Sequence, residues 1–217
     1  MNKLFLTIVL IIASIDFIGA KPSTIDSLEA IIKKETASKK VDAMLKLSQL
    51  MYDKNPTNGI SIAFDAVTLS KKLPNDILSQ SLENLAFLYQ KTSNYEASID
   101  YYKQALEKKK TADGVTKIID NIGVSFGEIG KFDSAIVYHK QSLKICETTG
   151  DRKGAALAIN YMGNVNVRSG NFETALAYYQ KSLKIRQDNN FTEDIASSLE
   201  NIGDVYKKLN QYDNDGC

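Results

Sequence analysis

Tryptophan is absent from this chain of 217 residues, histidine occurs once, cysteine twice and proline three times. Each scarcity removes a class of chemistry. A single histidine, His139, with no cysteine cluster cannot supply the ligand spacing of a zinc site. Two cysteines, Cys146 and Cys217, do not make a disulfide framework, and both are expected to be free thiols, Cys146 at the exposed end of a helix. Charge of one sign is missing as well. The 27 basic and 26 acidic residues leave a formal net charge of +1, without the basic footprint of a nucleic-acid binder. The densest basic run, Lys108-Lys109-Lys110, follows Glu107 where a helix is expected to end, a solvated place that suits cations. No glycine-rich loop closes on Lys-Ser or Lys-Thr to cradle phosphate, and Asp213-Asn214-Asp215-Gly216 lacks the downstream glutamate of a calcium loop. No catalytic residues, metal or cofactor are expected.

Long apolar runs are also lacking, with one exception. Lys3 precedes an apolar stretch from Leu4 to Ile15, then Asp16 and the small residue Ala20. That order is a secretory signal peptide over 1–20, cut before Lys21, and the mature chain is expected to be exported to the periplasm or secreted, without membrane insertion. The alternative is an uncleaved anchor, because Ile18 is larger than the ideal residue two places before the cut.

What the chain does have is repetition. Asn-Ile-Gly at 121–123, Tyr-Met-Gly at 161–163 and Asn-Ile-Gly at 201–203 keep a 40-residue step, and so do Gly130 and Gly170 with the pairs Phe132-Asp133 and Phe172-Glu173 behind them. A fixed period of this size means stacked copies of one small unit. Each unit reads as two helices. In the first, Leu78, Leu82, Leu85 and Tyr89 describe one stripe, as do Val115, Ile119, Ile122 and Phe126, and again Ile195, Leu199, Ile202, Tyr206 and Leu209. The glycine on that stripe costs about 1 kcal/mol against alanine, so it is expected where a neighbouring helix comes close. Ser93-Asn94, Gly130-Lys131, Gly170-Asn171 and Asn210-Gln211 mark turns. The second helix alternates small residues (Ser98, Ala135, Ala175; Ala105, Ser142, Ser182) with aromatic pairs (Tyr101-Tyr102, Tyr138-His139, Tyr178-Tyr179), a core pattern in which His139 replaces a tyrosine. An earlier copy carries Tyr52, Phe64 and Leu69, placed 37 residues before Tyr89, Tyr101 and Leu106. Four complete units over 40–190 and a fifth begun at 193 result, behind an exposed lead-in over 21–39 with a helix around 25–34.

The pattern Asn-Leu-Ala, Tyr, Asn-Tyr-Glu, Ile, Tyr-Tyr, Ala-Leu at 84–106, with its counterparts at 121–143 and 163–183, resembles a tetratricopeptide repeat. Its period of 37 to 40 exceeds the usual length of about 34 and is similar to the branch found in kinesin light chains, spindle-orientation scaffolds and peptide-sensing bacterial regulators. The resemblance implies an all-α, right-handed superhelical solenoid of antiparallel helix pairs over 40–217, whose first helices line a concave groove. In that family the residues two before and one after the glycine point into the groove. Here these are Asn84 and Phe87, Asn121 and Val124, Tyr161 and Asn164, Asn201 and Asp204, with Asn160 one place away. Asparagine amides both donate and accept, so such a ladder would hold the backbone of a protein or extended peptide segment. The lysine of a carboxylate clamp is missing, since Glu83, Asp120, Asn160 and Glu200 fill its slot. Export ahead of such an array also resembles the periplasmic sensor part of membrane-bound signalling proteins, histidine kinases or nucleotide cyclases. A fifth first-helix without its partner is expected to leave an apolar stripe uncovered, which favours self-association or fraying from 193 onward.

Overall fold

The computed structural model describes residues 23–109 and 114–215, with side chains as far as Asn210; the expected signal peptide and Cys217 lie outside them. The described residues form ten α-helices and no strand: α1 (Thr24–Lys34), α2 (Ala37–Lys54), α3 (Pro56–Ser70), α4 (Asn75–Lys91), α5 (Tyr95–Lys108), α6 (Val115–Glu128), α7 (Phe132–Thr149), α8 (Arg152–Arg168), α9 (Phe172–Asp188) and α10 (Thr192–Asp215). Consecutive helices pack on one another, and α2 touches α4 as α6 touches α8, so the first helices of successive units lie side by side. This is an all-α helical-repeat solenoid. None of the described helices is long and apolar enough to cross a membrane.

The helix boundaries follow from local chemistry. Ser23 and Asp26 close a capping box on α1, and the side chains of Asn55, Asn94 and Asp151 accept the free amides of Asn58, Ala97 and Gly154 at the starts of α3, α5 and α8. The turn inside the second, third and fourth units recurs with one geometry, whereas that of the first passes through an extended Asn55. Ser93, Gly130 and Gly170 take φ of 59°, 76° and 80°, and the next amide donates back to Tyr89, Phe126 and Asn166 carbonyls at 2.9, 2.9 and 2.8 Å. The expected turn at Asn210-Gln211 is absent: α10 runs through it to Asp215. Without a glycine the signal was weak, because asparagine inside a helix costs only about 0.7 kcal/mol.

Packing explains the glycines. A Cβ on Gly123 would stand 2.7 Å from the His139 ring, and one on Gly163 would stand 2.5 Å from the Tyr179 ring. The aromatic of the second helix therefore rests directly on the backbone of the first, and Ala86 and Tyr102 share the same core cluster one unit earlier. Tyr102, His139 and Tyr179 are all buried, as are the small residues on both sides of them. The outer tyrosines stack on the first helix, Tyr89 on Tyr101 at 5.5 Å and Phe126 on Tyr138 at 5.4 Å.

Three further expectations need correction. Cys146 is 1% exposed, not a surface thiol. It lies seven residues after His139 on the same inward stripe, and its Sγ presses on Gly154 of α8, where a Cβ would stand at 2.7 Å. Lys109 is not simply solvated at the end of α5, because its Nζ reaches Glu83 at 3.6 Å. The lead-in is not wholly exposed either, since Leu28 of α1 packs on Ala43 and Leu47 of α2.

The far end differs from the middle of the stack. Val205 of α10 is buried against Phe172, Ala175 and Tyr179, with Ile202 and Leu209 partly covered. Leu199 is 53% exposed, whereas Leu82, Ile119 and Ile159 at the same register are 3%, 1% and 1% exposed. A Cβ on Gly203 would meet nothing within 4 Å.

Candidate partner-binding groove

Side-by-side first helices present the same register positions in rows, and those rows enclose a depression of about 600 Å³. Asp42, Leu45, Lys46 and Gln49 of α2, Gln80, Glu83, Asn84 and Phe87 of α4, and Lys117 and Asn121 of α6 line it, with Tyr102 of α5 at its floor. Phe87 is 40% exposed there, a large apolar ring left in water. Its flank is charged but compensated. Lys91 lies 5.6 Å over Phe87 and 4.8 Å over Tyr52, and pairs with Asp53 at 3.5 Å. Lys46 donates to Asp42 at 2.7 Å and Glu83 holds Lys109, while Lys117 has no ion pair among the described residues.

The residues expected in the groove separate into two sets. Asn84, Phe87 and Asn121 come together in this depression. Asn121 is half-buried, with no side-chain hydrogen bond to another described residue, while its carbonyl accepts from Gln90 Nε2 at 3.4 Å. Asn84 is only 7% exposed and its amide is spent inside the protein: its oxygen accepts from Gln49 Nε2 at 2.8 Å and its Nδ2 donates to Ser48 Oγ at 2.8 Å. The other six continue the rows beyond this depression. Val124 is half-buried. Tyr161 stacks on His139 at 5.2 Å, and burial, then the Asp120 charge, raises its phenol. Asn164 accepts from the Tyr179 hydroxyl at 2.7 Å, and burial, then Asp204, pushes that phenol up to about 12. Asn160 is buried and accepts from Asn201 Nδ2 at 3.2 Å, while Asp204 is exposed beside Lys207 at 3.4 Å.

Gln49, Gln80, Lys46 and Lys117 were not singled out in the sequence. The signal for two of them was present: Gln80 and Lys117 stand four residues, one helical turn, before Asn84 and Asn121 on the same face. A second depression of about 510 Å³ lies between the turn at Gly130-Lys131 with the first turn of α7 and the end of α8.

A polar cluster inside the stack has an enzyme's residue types in the wrong arrangement. His139 Nδ1 donates to Asp120 Oδ1 at 2.8 Å, and Ser142 Oγ donates to Asp120 Oδ2 at 2.8 Å. The carboxylate sits between serine and histidine, so the imidazole is not placed to take the serine proton. His139 is fully buried and its Nε2 has no hydrogen-bond partner among the described residues. The cluster ties α6 to α7. In the slot of Cys146 one unit later, buried Arg186 ties α9 to α10 by donating to the Asp194 carbonyl and to Ser198 Oγ, both at 2.7 Å. Among the described residues no group of histidine, cysteine and carboxylate side chains is disposed to hold a metal ion.

Comparisons with known proteins fit this architecture. Similar folds occur in BtubC (BKLC) from P. vanneervenii, with a TM-score of 0.71 at 19% identity over 88% of this chain and 82% of that one. Aspartyl phosphate phosphatase F from Bacillus subtilis gives 0.70 at 17% identity, and a Rap protein complexed with Competence and Sporulation Factor gives 0.70 at 15%. These two alignments cover 87% and 88% of this chain but 54% of each of those proteins, so this chain spans about half their length. At such identities the likeness is one of fold. No curated protein matches the sequence. The tetratricopeptide repeat model matches residues 77–148, 115–188 and 154–214, more than half of the chain, and the chain belongs to the tetratricopeptide repeat family.

Proposed function

We propose that this chain is a non-catalytic scaffold that holds a protein or extended peptide segment in the groove of its first helices. The observation that carries this is Phe87, an exposed aromatic ring set among amides and charges that are paired except at Lys117. An exposed ring is an anchor for a partner side chain, and amides such as Asn121 and Gln80 satisfy a partner's backbone. The family is typically one of scaffolds, and the Rap protein of like fold was solved with a bound factor. On the sequence of 1–20 alone we place the scaffold outside the cytoplasm; N-terminal sequencing of the exported protein tests cleavage before Lys21. The groove is tested by probing a random peptide array with the wild-type chain and with Phe87→Ala/Asn121→Ala. Loss of most binding at an unchanged melting temperature is expected. Equal binding by both proteins removes the groove from the function. Asn84→Ala is unsuited to this test because it also breaks the hydrogen bonds to Gln49 and Ser48.

A specific observation favours a second use of the surface. Leu199 and Tyr206, 53% and 48% exposed, form an apolar face on α10 around the open Gly203. We infer that a second copy of the chain covers this face at high concentration. Sedimentation velocity should show a dimer that Leu199→Glu abolishes; a monomer across the concentration series, or a dimer that survives the substitution, removes the idea.

A further inference from the structure

Followed from one end of the stack to the other, the row one residue after the glycine changes character. It reads Leu50, Phe87, Val124, Asn164 and Asp204 on α2, α4, α6, α8 and α10. Leu50 and Phe87 are each 40% exposed, so water, not the core, meets these apolar groups. Their charged neighbours Lys46, Glu83 and Lys91 are all paired, to Asp42, Lys109 and Asp53. At α10 the balance is different. Asp204 and Glu200, one turn apart, are both exposed, and Glu200 has no ion pair among the described residues. The Asp204–Lys207 pair is an exposed pair like Lys46–Asp42, so what sets α10 apart is the second, unpaired carboxylate of Glu200. Midway, unpaired Lys117 faces the groove.

We propose that the groove is graded: it takes an extended protein segment with apolar side chains at the end lying on α2 and α4 and basic side chains at the end lying on α10. The claim rests on the groove reading above and adds the partner's chemistry. The apolar end strips water from Phe87 and Leu50, and the basic end meets Glu200 and Asp204. The stretch over Lys117 offers carbonyls or a carboxylate. Packed helices stand about 8–10 Å apart, so three steps from α4 to α10 cover roughly 24–30 Å. An extended chain rises about 3.3 Å per residue, which places the apolar and basic groups about eight residues apart. Charge complementarity of this kind sets register and direction more than affinity.

The test uses the full chain on an array of random dodecapeptides, followed by fluorescence titration of the best binders. The expected wild-type consensus has apolar and basic positions separated by about eight residues. In Glu200→Lys/Asp204→Lys, whose substituted side chains are exposed and make no core contact, the charged end of the consensus should invert to acidic. The ratio of Kd values for basic-ended and acidic-ended peptides should change by at least about tenfold. Binding that Phe87→Ala weakens, but whose consensus has no charged end or is unmoved by the reversal, overturns the gradient and leaves the groove reading standing. Binding indifferent to Phe87→Ala/Asn121→Ala, or no binding to any peptide, overturns both.

Discussion

At the scale of single residues the repeat works by giving one side chain room that another residue type would close. Gly163 and Gly203 hold the same position in consecutive units, yet only Gly163 has an aromatic ring against it. Gly163→Ala should lose about 1–3 kcal/mol, because the buried Tyr179 ring and its bond to Asn164 must move. Gly203→Ala should gain up to about 1 kcal/mol from helix propensity alone. Urea melts of the two variants check this, and equal effects would show that the ring contact is unimportant. Cys146 makes a second residue-scale case. Burial, then the Asp151 and Asp120 charges, pushes its thiol up from 9.0 to about 11. The neutral thiol is the form that folding favours, so the folded value exceeds the unfolded one. Its contribution is fully present below pH 9 and is lost as pH rises toward 11, where the unfolded chain gives up the proton first. In a Cys217→Ser background, Cys146 should resist a disulfide reagent at pH 8, and Cys146→Ala should flatten the fall of the urea midpoint between pH 9 and 11. Rapid labelling at pH 8 would mean that the last turn of α7 opens freely.

At the scale of the helix, what the sequence carried was whatever depends on neighbours within one turn. The stripes, the glycine and serine turns at 93, 130 and 170, and the aromatic slot shared by Tyr102, His139 and Tyr179 are local periodicities and could be read off directly. Contacts between units could not. Whether Cys146 is covered depends on Gly154 in the next helix, and whether Asn84 offers its amide depends on Gln49, 35 residues earlier. Asn210-Gln211 shows the opposite limit: a turn signal without glycine yielded to a helix that runs on to Asp215. The tie between the last two helices belongs to this scale as well. Burial lowers the affinity of Arg186 for its proton, with Asp194 opposing, and its two hydrogen bonds reach into the start of α10. Arg186→Ala should cost about 1.5–3 kcal/mol, the usual worth of hydrogen bonds to a charged group. The loss should be local: hydrogen exchange should speed up along 192–210 while α6 and α7 stay protected. Unchanged exchange in α10 would show that Val205, packed on Phe172, holds that helix without the arginine.

The whole molecule is a stack in which each helix touches its neighbours and little else, so stability should be a sum of unit and interface terms and not one indivisible quantity. The described ends are finished differently. At the first end α1 lays Leu28 over Ala43 and Leu47, covering α2 as a lid of polar exterior. At the other, α10 shows Leu199 and Tyr206 to solvent. A stack of this kind unfolds from its ends, and the protected centre should be α4 through α6, where the largest buried cluster, begun on α3 with Ala63 and Val67, runs through Leu85 and Tyr102 to Ile122. Leu28→Asp tests the summation directly. It buries a charge against Ala43 and Leu47, so α1 should detach, at a cost of about 1.5–3 kcal/mol for the lost apolar burial. Amides of α2 and α3 should then exchange faster, whereas those of α8 and α9, three units away, should keep their wild-type rates. If the whole chain accelerates by one common factor, the stack opens only as a single cooperative body, and the separate treatment of its two ends fails with it.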